Sequence, residues 1–275
     1  SSESRRTRLT SCPWPRVAGA TRTMADVPID LNADVGEGLD AADAVILPLI
    51  TSANIACGGH AGDLRTMRAT VALAVEHGVG IGAHPGYPDR EGFGRREIDI
   101  STTDLRASVL GQLQALAAVV AEAGARITHV KPHGLLYNRA AADPVLARLL
   151  AEVVYRWDPG VVLVGLAGSH SLVAGREAGL IVVAEGFADR AYEPDGSLRP
   201  RSRPGALHQD PADVAAQAVA IARDGQVLLE DGGSVAVAAQ TLCLHGDEPG
   251  AVDNARAVRA ALTEAGVRLV SPGRR

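Results

Sequence analysis

Aromatic side chains and cysteines are scarce in this sequence. Only 3% of its 275 residues are aromatic, and its three cysteines show no CxxC spacing. Such cysteine usage fits a reducing compartment better than a disulfide framework or a zinc knuckle, so we expect a cytoplasmic protein. The shortage of aromatic residues means that the core must be built from aliphatic side chains.

Long apolar runs and common nucleotide-binding signatures are also missing. No stretch approaches the roughly 18 uninterrupted apolar residues that a membrane span requires, so no membrane partner is predicted. The sequence has no GxxxxGK[ST] loop and no GxGxxG after a strand, which excludes those two nucleotide sites. It also lacks GxSxG, which argues against an ordinary serine hydrolase.

Charge is distributed unevenly along the chain. The formal net charge is −5, yet residues 1–23 hold five Arg and one Glu, so residues 24–275 carry −9. An acidic body of this kind disfavours a nucleic-acid partner. We expect residues 1–23 to be a disordered, non-domain extension and residues 24–275 to form a single domain.

Short β-rich runs alternate with longer helix-period runs from Met24 almost to the end, which is the pattern of repeated βα units. Strands are predicted over residues 27–31, 52–56, 79–83, 127–131, 161–165, 180–184 and 240–244. Helices are predicted over residues 62–77, 102–123, 140–155, 211–223 and 249–265. Strand runs such as VVLVG are continuously apolar, as expected when both faces are covered.

Polar side chains follow almost every predicted strand at its carboxyl end. They are Asn32, Asp34 and Glu37; His60 and Asp63; His84 and Asp89; Lys131 and His133; Glu185, Asp189 and Arg190; and His245 and Asp247. A doubly wound open sheet would spread them over about 30 Å, at roughly 4.8 Å per strand. A barrel would bring them to one mouth. We therefore predict an α/β fold, a single TIM-like (β/α) barrel that is seven-stranded or irregular.

Each motif has a chemical and a plainer interpretation. The acids of IDLNADVGEG, residues 29–38, could bind a cation or act as a base, or form an Asx-turn. In SANIACGGHAGD, residues 52–63, His60 follows two glycines, whereas Asp63 could merely cap a helix. His84 begins a long Gly- and Pro-rich loop, of a kind that often covers a site.

The later motifs leave similar alternatives open. Lys131 and His133 lie two residues apart and share one side of an extended segment, which suits a carboxylate or a developing oxyanion, although a buried neutral histidine is the plainer interpretation. EGFADRAY, residues 185–192, offers either an acid or base or a structural ion pair. TLCLHGD, residues 241–247, could pair His245 with an aspartate.

Taken together and in this order, DLNADVGEG, SANIACGGHAGD, IGAHPGYPD, KPHGLLYN, EGFADRAY and LHGD resemble the LamB/YcsF family. The match runs from about Ile29 to the last helix. The resemblance implies a barrel of the glycoside hydrolase/deacetylase type. It also implies a part in opening 5-oxo-L-proline to L-glutamate with hydrolysis of ATP, the co-substrate, together with two further 5-oxoprolinase subunits, B and C.

On this resemblance we assign roles to strand-end residues. The catalytic candidates are Asp34, His60, His84, His133 and His245. The substrate-binding candidates are Asn32, Lys131, Asn138, Glu185, Asp189 and Arg190. We expect Lys131 or Arg190 to bind the substrate carboxylate and Asp34 or His133 to act as general base, while the other histidines polarise the carbonyl or hold the site together.

Three alternatives remain open at this point. A divalent metal could be held by Asp34, His60 and His84 with an open position, although the main interpretation assigns no metal ligands. The chain could instead be a metal-dependent deacetylase or sugar hydrolase without an ATP requirement. It could also be a non-catalytic subunit that only binds ligand for a partner.

Overall fold

The computed structural model describes residues 28–245 and 250–273. Seven parallel strands, paired in chain order, close into a barrel when the last strand pairs with both the first and the sixth, which confirms the predicted fold class. The predicted extension over residues 1–23, together with Asp247, lies outside the described residues. The barrel strands are β1 (Asp30–Val35), β2 (Ser52–Ala56), β3 (Gly80–His84), β4 (Ile127–Val130), β5 (Val162–Leu166), β6 (Ile181–Phe187) and β9 (Thr241–Leu244).

Helices surround this barrel, and a short antiparallel hairpin, β7 (Gln226–Leu228) with β8 (Ser234–Ala236), stands apart from it. Within the described ranges, no helix is both long and apolar enough to cross a bilayer. The helices are α1 (Asp40–Ile46), α2 (Leu64–Glu76), α3 (Thr102–Glu122), α4 (Gly134–Ala142), α5 (Pro144–Trp157), α6 (His170–Glu177), α7 (Pro211–Asp224) and α8 (Ala251–Glu264).

The sequence located most elements, with two informative errors. The first strand is Asp30–Val35 and so continues four residues past its predicted end at residue 31, while its predicted start at residue 27 lies outside the described residues. The single helix predicted over residues 140–155 is two helices. Asp143 ends α4 and caps α5 through the amides of Val145 and Leu146, and Pro144 starts the new helix because proline cannot donate a helical hydrogen bond. Helices α1 and α6 and the hairpin were not predicted.

Alternation along the strands places polar residues inside the barrel and aliphatic ones against the helices. In β1, Leu31, Ala33 and Val35 belong to the main core cluster. On the other side of the strand, Asp30 accepts hydrogen bonds from Ser52 Oγ at 2.7 Å and Thr241 Oγ1 at 2.5 Å. Burial raises the pKa of Asp30 to about 6, although these hydroxyl donors oppose the shift. Hydrogen-bonded polar layers therefore occupy the barrel axis.

Two loops at the carboxyl ends of the strands are fixed by local hydrogen bonds. Asp63 and Thr66 form a reciprocal capping box at the start of α2, so the plainer interpretation of Asp63 is the observed one. In the long loop after β3, Arg96 pairs with Asp89, whose carboxylate also accepts from the Gly92 amide at 3.0 Å. Both loops border the mouth of the barrel.

Candidate active site

A cavity of about 670 Å³ opens at the carboxyl ends of the strands. Seven of the eleven predicted site residues line it, and five of these come from the strand ends: Asp34, His84, Lys131, His133 and His245. Asn138 and Arg190 line its walls, together with the start of α6. The predicted convergence of strand-end side chains at one mouth is therefore observed for these residues.

Lys131 forms the centre of the cavity floor. Its buried ammonium lies 2.9 Å from Asp34 Oδ1, 3.0 Å from Glu185 Oε1 and 3.0 Å from Cys243 Sγ. Burial opposes the charge, but the combined attraction of the groups around the ammonium, Asp34 first, outweighs it and raises the pKa of Lys131 well above its ordinary value. Burial also raises the pKa of Cys243, so the sulfur is a neutral thiol. Lys131 is thus an ion-paired cation shared by two carboxylates.

Asp34 is the ionised carboxylate of this floor. Burial would raise its pKa, but attraction to His84 and Lys131 outweighs burial and holds the pKa well below its usual range. Its Oδ1 also accepts from Asn54 Nδ2 at 2.9 Å, whereas Oδ2 lies 3.3 Å from His84 Nε2. One carboxylate oxygen is therefore fixed from below and the other faces the histidines.

Asn32 and Glu185 lie one layer deeper. Asn32 Nδ2 donates to Glu185 Oε1 at 3.0 Å and to Thr241 Oγ1 at 2.6 Å, and its Oδ1 accepts from Asn54 at 2.7 Å. Neither residue lines the cavity. Their contacts fix Lys131 and Asp34 from beneath, so they are positioned to support the site and not to contact a ligand in it.

His84 and His133 meet at the side of the cavity with defined tautomers. His84 Nδ1 lies 2.7 Å from the Lys131 carbonyl oxygen, and His133 Nε2 lies 2.9 Å from the Phe93 carbonyl oxygen. A carbonyl oxygen only accepts, so both of these nitrogens carry hydrogen. The remaining nitrogens, His84 Nε2 and His133 Nδ1, face each other at 3.0 Å. Burial lowers the pKa of His133 well below its ordinary value.

His60 lies behind this pair and outside the cavity lining. Its ring stacks on that of His133 with centroids 3.5 Å apart and planes within 3°. Its Nε2 lies 2.9 Å from Glu37 Oε1, and its buried Nδ1 has no hydrogen-bond partner among the described residues. Burial lowers the pKa of His60 to about 2, so the ring is neutral. Close packing is possible because Gly86 and Gly94 have no side chains to overlap these rings.

The opposite wall holds the remaining candidates. His245 Nδ1 lies 2.9 Å from Asp189 Oδ2, and the same carboxylate accepts from the His245 amide at 2.9 Å. Burial opposes ionisation of Asp189, but His245 outweighs it and lowers the pKa of Asp189. Arg190 donates to the backbone oxygens of Ala206 and Arg199, and its Nη1 has no hydrogen-bond partner among the described residues.

Sequence reasoning missed several residues that build the site. Glu37 was recognised as a strand-end acid but received no role, although it contacts His60 and lies near His133. Gln112 on α3 binds both backbone groups of Gly86. Gln217 on α7 donates to three carbonyl oxygens at the end of β6 and in the loop that follows it. The available signal was a glutamine on the apolar face of each helix.

The structure also changes which residues could hold a metal ion together. Asp34, His60 and His84 do not form one compact donor set. Within the described ranges, potential ligand atoms instead cluster in two groups, Glu37 with His60, His84 and His133, and Asp34 with Cys243 and His245.

Comparison with known proteins gives a consistent result across nearly the whole described region. The sequence model of the LamB/YcsF family matches residues 29–274. The chain is 49% identical over 249 residues to the 5-oxoprolinase A subunit of Methylococcus capsulatus, covering 89% of this chain and 96% of that protein. It is 51% identical over 248 residues to the 5-oxoprolinase A subunit of Chloroflexus aggregans, covering 89% and 98%.

A solved structure agrees with these sequence matches. The lactam utilization protein from Thermus thermophilus superposes with a TM-score of 0.83 at 47% identity, covering 89% of this chain and 99% of that one.

Proposed function

The chain belongs to the LamB/YcsF family, and on that premise we propose that it acts as the A subunit of an ATP-dependent 5-oxoprolinase. The complex would cleave 5-oxo-L-proline to L-glutamate while ATP is converted to ADP and phosphate. The names of the relatives favour this function over a stand-alone deacetylase or sugar hydrolase. The observation that carries a catalytic role is the ionised Asp34 on the cavity floor, fixed by Lys131 and facing His84.

The chemistry requires both activation and a base. A five-membered lactam is an unreactive amide, so transfer of the γ-phosphoryl group of ATP to the amide oxygen would create a leaving group and make the carbon electrophilic. Water then attacks this carbon and the ring C–N bond breaks, which leaves an acyl phosphate of glutamate. A second water hydrolyses this acyl phosphate, so that the carboxylate of glutamate forms and inorganic phosphate leaves. The nitrogen gains protons as it becomes the amine of glutamate, while a base takes the proton of the water.

We assign the base to Asp34. Its Oδ1 is held by Lys131 and Asn54, which leaves Oδ2 on the side of His84. An oriented, ionised carboxylate at the cavity wall is suited to accept a proton from water or to hold that water in line. The Lys131 ammonium beside it keeps this carboxylate ionised.

Arg190 is the better of the two candidates for the substrate carboxylate. The Lys131 ammonium is shared by Asp34 and Glu185, so its charge is already compensated. Arg190 instead lines the cavity with backbone oxygens as its partners and one terminal nitrogen unused among the described residues. A guanidinium matches a planar carboxylate. Asn138 also lines the cavity and offers its amide to a small ligand.

The remaining parts of the proposal concern the cell and the complex. We propose a cytoplasmic location and a complex with 5-oxoprolinase subunits B and C, in which ATP is the co-substrate. The relatives are each named as one lettered subunit of an enzyme, which supports membership of a multi-subunit assembly. The cavity in this chain would serve the lactam and its hydrolysis.

The catalytic role of Asp34 is tested by Asp34→Asn in the reconstituted three-subunit complex. Asparagine keeps the size of the side chain but cannot accept a proton, so we expect kcat for glutamate formation to fall by about 10²-fold or more. The matched control is Asp40→Asn, since Asp40 is an exposed acid paired with Arg65 outside the cavity. Unchanged turnover in the folded Asp34 variant would contradict a catalytic role for this barrel mouth.

A further inference from the structure

The contact between His84 Nε2 and His133 Nδ1 is incomplete as it stands. Both rings use their other nitrogen as a donor to a carbonyl oxygen, so unless a further proton or a cation lies between them, two lone pairs face each other at 3.0 Å. Two lone pairs at that distance repel, and a shared proton or a cation must lie between them. This requirement follows from the hydrogen-bond partners and goes beyond the proposed reaction.

A carboxylate completes the arrangement. Glu37 Oε1 lies 3.4 Å from His133 Nδ1 and 3.9 Å from His84 Nε2, and the Glu37 side chain is buried with them. We propose that Glu37 Oε1, His84 Nε2 and His133 Nδ1 bind one divalent transition-metal ion of the zinc class. Two imidazoles and a carboxylate with an open position form a recurrent donor set for such ions.

The donor geometry fits one ion. Donors about 2.1 Å from an ion are separated by about 3.0 Å in octahedral and about 3.4 Å in tetrahedral coordination. The separations of 3.0, 3.4 and 3.9 Å require only a small adjustment by Glu37. The two imidazole planes are 87° apart and therefore intersect, so one ion can lie in the planes of both rings. Both histidines line the cavity, which leaves coordination positions open to a ligand or water.

The surroundings hold the donors in place. Each histidine is anchored through its far nitrogen to a backbone carbonyl, the usual support of a metal-bound imidazole. The carbonyl that orients His133 belongs to Phe93, whose φ of 55° is costly for a bulky residue. The backbone is therefore strained at the position that fixes this tautomer.

His60 supports the set without being a ligand. Its ring is parallel to that of His133 at 3.5 Å, so the lone pairs of the two rings cannot both point at one ion. Its Nε2 can instead donate to Glu37 Oε1 at 2.9 Å and orient that carboxylate. Negative charge nearby favours a dication over a single proton, because Asp34 and Glu185 share one ammonium and Asp34 Oδ2 lies 3.3 Å from His84 Nε2.

The test measures metal binding by the full chain, independently of turnover. The protein is treated with a chelator, dialysed, and titrated with CoCl₂ or ZnCl₂, with the bound ion quantified by elemental analysis. We expect one ion per chain, and at least a tenfold loss of affinity in His84→Gln, His133→Gln and Glu37→Gln. The matched control is His77→Gln, since His77 is exposed at the end of α2 and should leave binding unchanged.

Several outcomes would overturn the proposal. One is that the wild-type chain binds less than a tenth of an ion, and another is that the three folded variants bind metal as the wild type does. A third is that a proton shared by His84 and His133 persists in the presence of the metal. If a glutamine variant does not fold, X-ray absorption of the cobalt-loaded wild type identifies the ligand atoms instead. Two imidazole ligands support the site, and oxygen-only coordination contradicts it. Because no assay here involves 5-oxoproline or ATP, failure of this site is distinguishable from failure of the proposed reaction.

Discussion

At the scale of single residues, the site is organised by charges that are buried together. The Lys131 ammonium has two carboxylates within 3.0 Å, and all three groups are at least nine-tenths buried. Attraction between such groups offsets the cost of removing them from water only while every partner is present. Removing one partner therefore exposes the full desolvation cost of the others.

Replacing Lys131 by methionine should destabilise the protein strongly. The aliphatic stem is retained, but Asp34 and Glu185 lose their shared cation, and we expect a loss of about 3–5 kcal/mol in the free energy of unfolding. Guanidinium denaturation measures this loss. Arg68→Met is the matched control, because the Arg68–Glu122 pair is more than half exposed, and its denaturation midpoint should not move. Equal midpoints for the two variants would show that the buried charges are not coupled as described.

His129 predicts a specific dependence of stability on pH. Burial lowers its pKa from 6.5 to about 3, so below pH 6.5 the unfolded chain binds a proton that the folded chain does not. Stability from this group is complete above pH 6.5 and is lost as the pH falls, by about 1.4 kcal/mol per unit between pH 4 and 6. Asp30 acts in the opposite direction, since its raised pKa of about 6 costs stability as the pH rises from about 4.

The comparison between variants isolates His129. His129→Gln should reduce the slope of unfolding free energy against pH by about 1.4 kcal/mol per unit in that window, because Asp30 is the same in both proteins. His77→Gln, at an exposed position, should leave the slope as it is. A slope that does not change in His129→Gln would mean that this ring is protonated in the folded protein.

At the scale of elements, two glycines in β3 make room inside the barrel. A Cβ at Gly82 would lie 2.1 Å from His129 Nε2, and one at Gly80 would lie 2.1 Å from Ser271 Oγ. The space beside these two glycines is thus occupied by the side chains of His129 and Ser271. The alternation of Gly80 and Gly82 was visible in the sequence, but the partners that fill the space come from distant segments.

The prediction at this scale compares two glycine substitutions. Gly82→Ala should reduce the unfolding free energy by about 1–3 kcal/mol, because the buried His129 ring must move and lose its bond to Asn54. Gly111→Ala, inside α3 where a Cβ meets nothing within 4 Å, should increase it by about 0.5–1 kcal/mol. Urea denaturation measures both. A Gly82→Ala protein as stable as the wild type would show that the interior is loosely packed.

The errors in element prediction have local physical causes. The apolar periodicity on both sides of Asp143 is continuous, so the break before Pro144 depended on the cap that Asp143 provides. Helix α6 is short and begins after a turn, and eight residues give too little periodicity to detect. Strand identity was more robust, because continuous runs such as Val162–Leu166 are buried on both sides.

At the scale of the whole molecule, closure of the barrel explains why so much of the site was predictable. Parallel strands bring their carboxyl ends together, so strand-end residues such as Asp34, Lys131 and His245 meet without any knowledge of side-chain orientation. Orientation was the unpredictable part. Asn32 and Glu185 point deeper, His60 stacks behind His133, and Glu37 becomes a contact of three histidines.

The few aromatic residues of the chain are unevenly placed in the structure. The main core is mostly aliphatic, and two of its few aromatic residues, Tyr137 and Phe187, also line the cavity. Phe93 packs edge-on against His133, and Phe187 stacks on His245 and contacts Tyr137. Apolar rings therefore border the polar groups of the cavity, which lowers the local dielectric and strengthens the electrostatic interactions inside it.

The most direct test of the central claim is phosphate release that depends on 5-oxoproline. The chain is combined with subunits B and C and ATP, and release is measured with and without 5-oxoproline and with this chain omitted. The proposed function predicts stoichiometric formation of glutamate and phosphate only when all three proteins and 5-oxoproline are present. Equal phosphate release without this chain, or no 5-oxoproline-dependent release from the complete mixture, would contradict it.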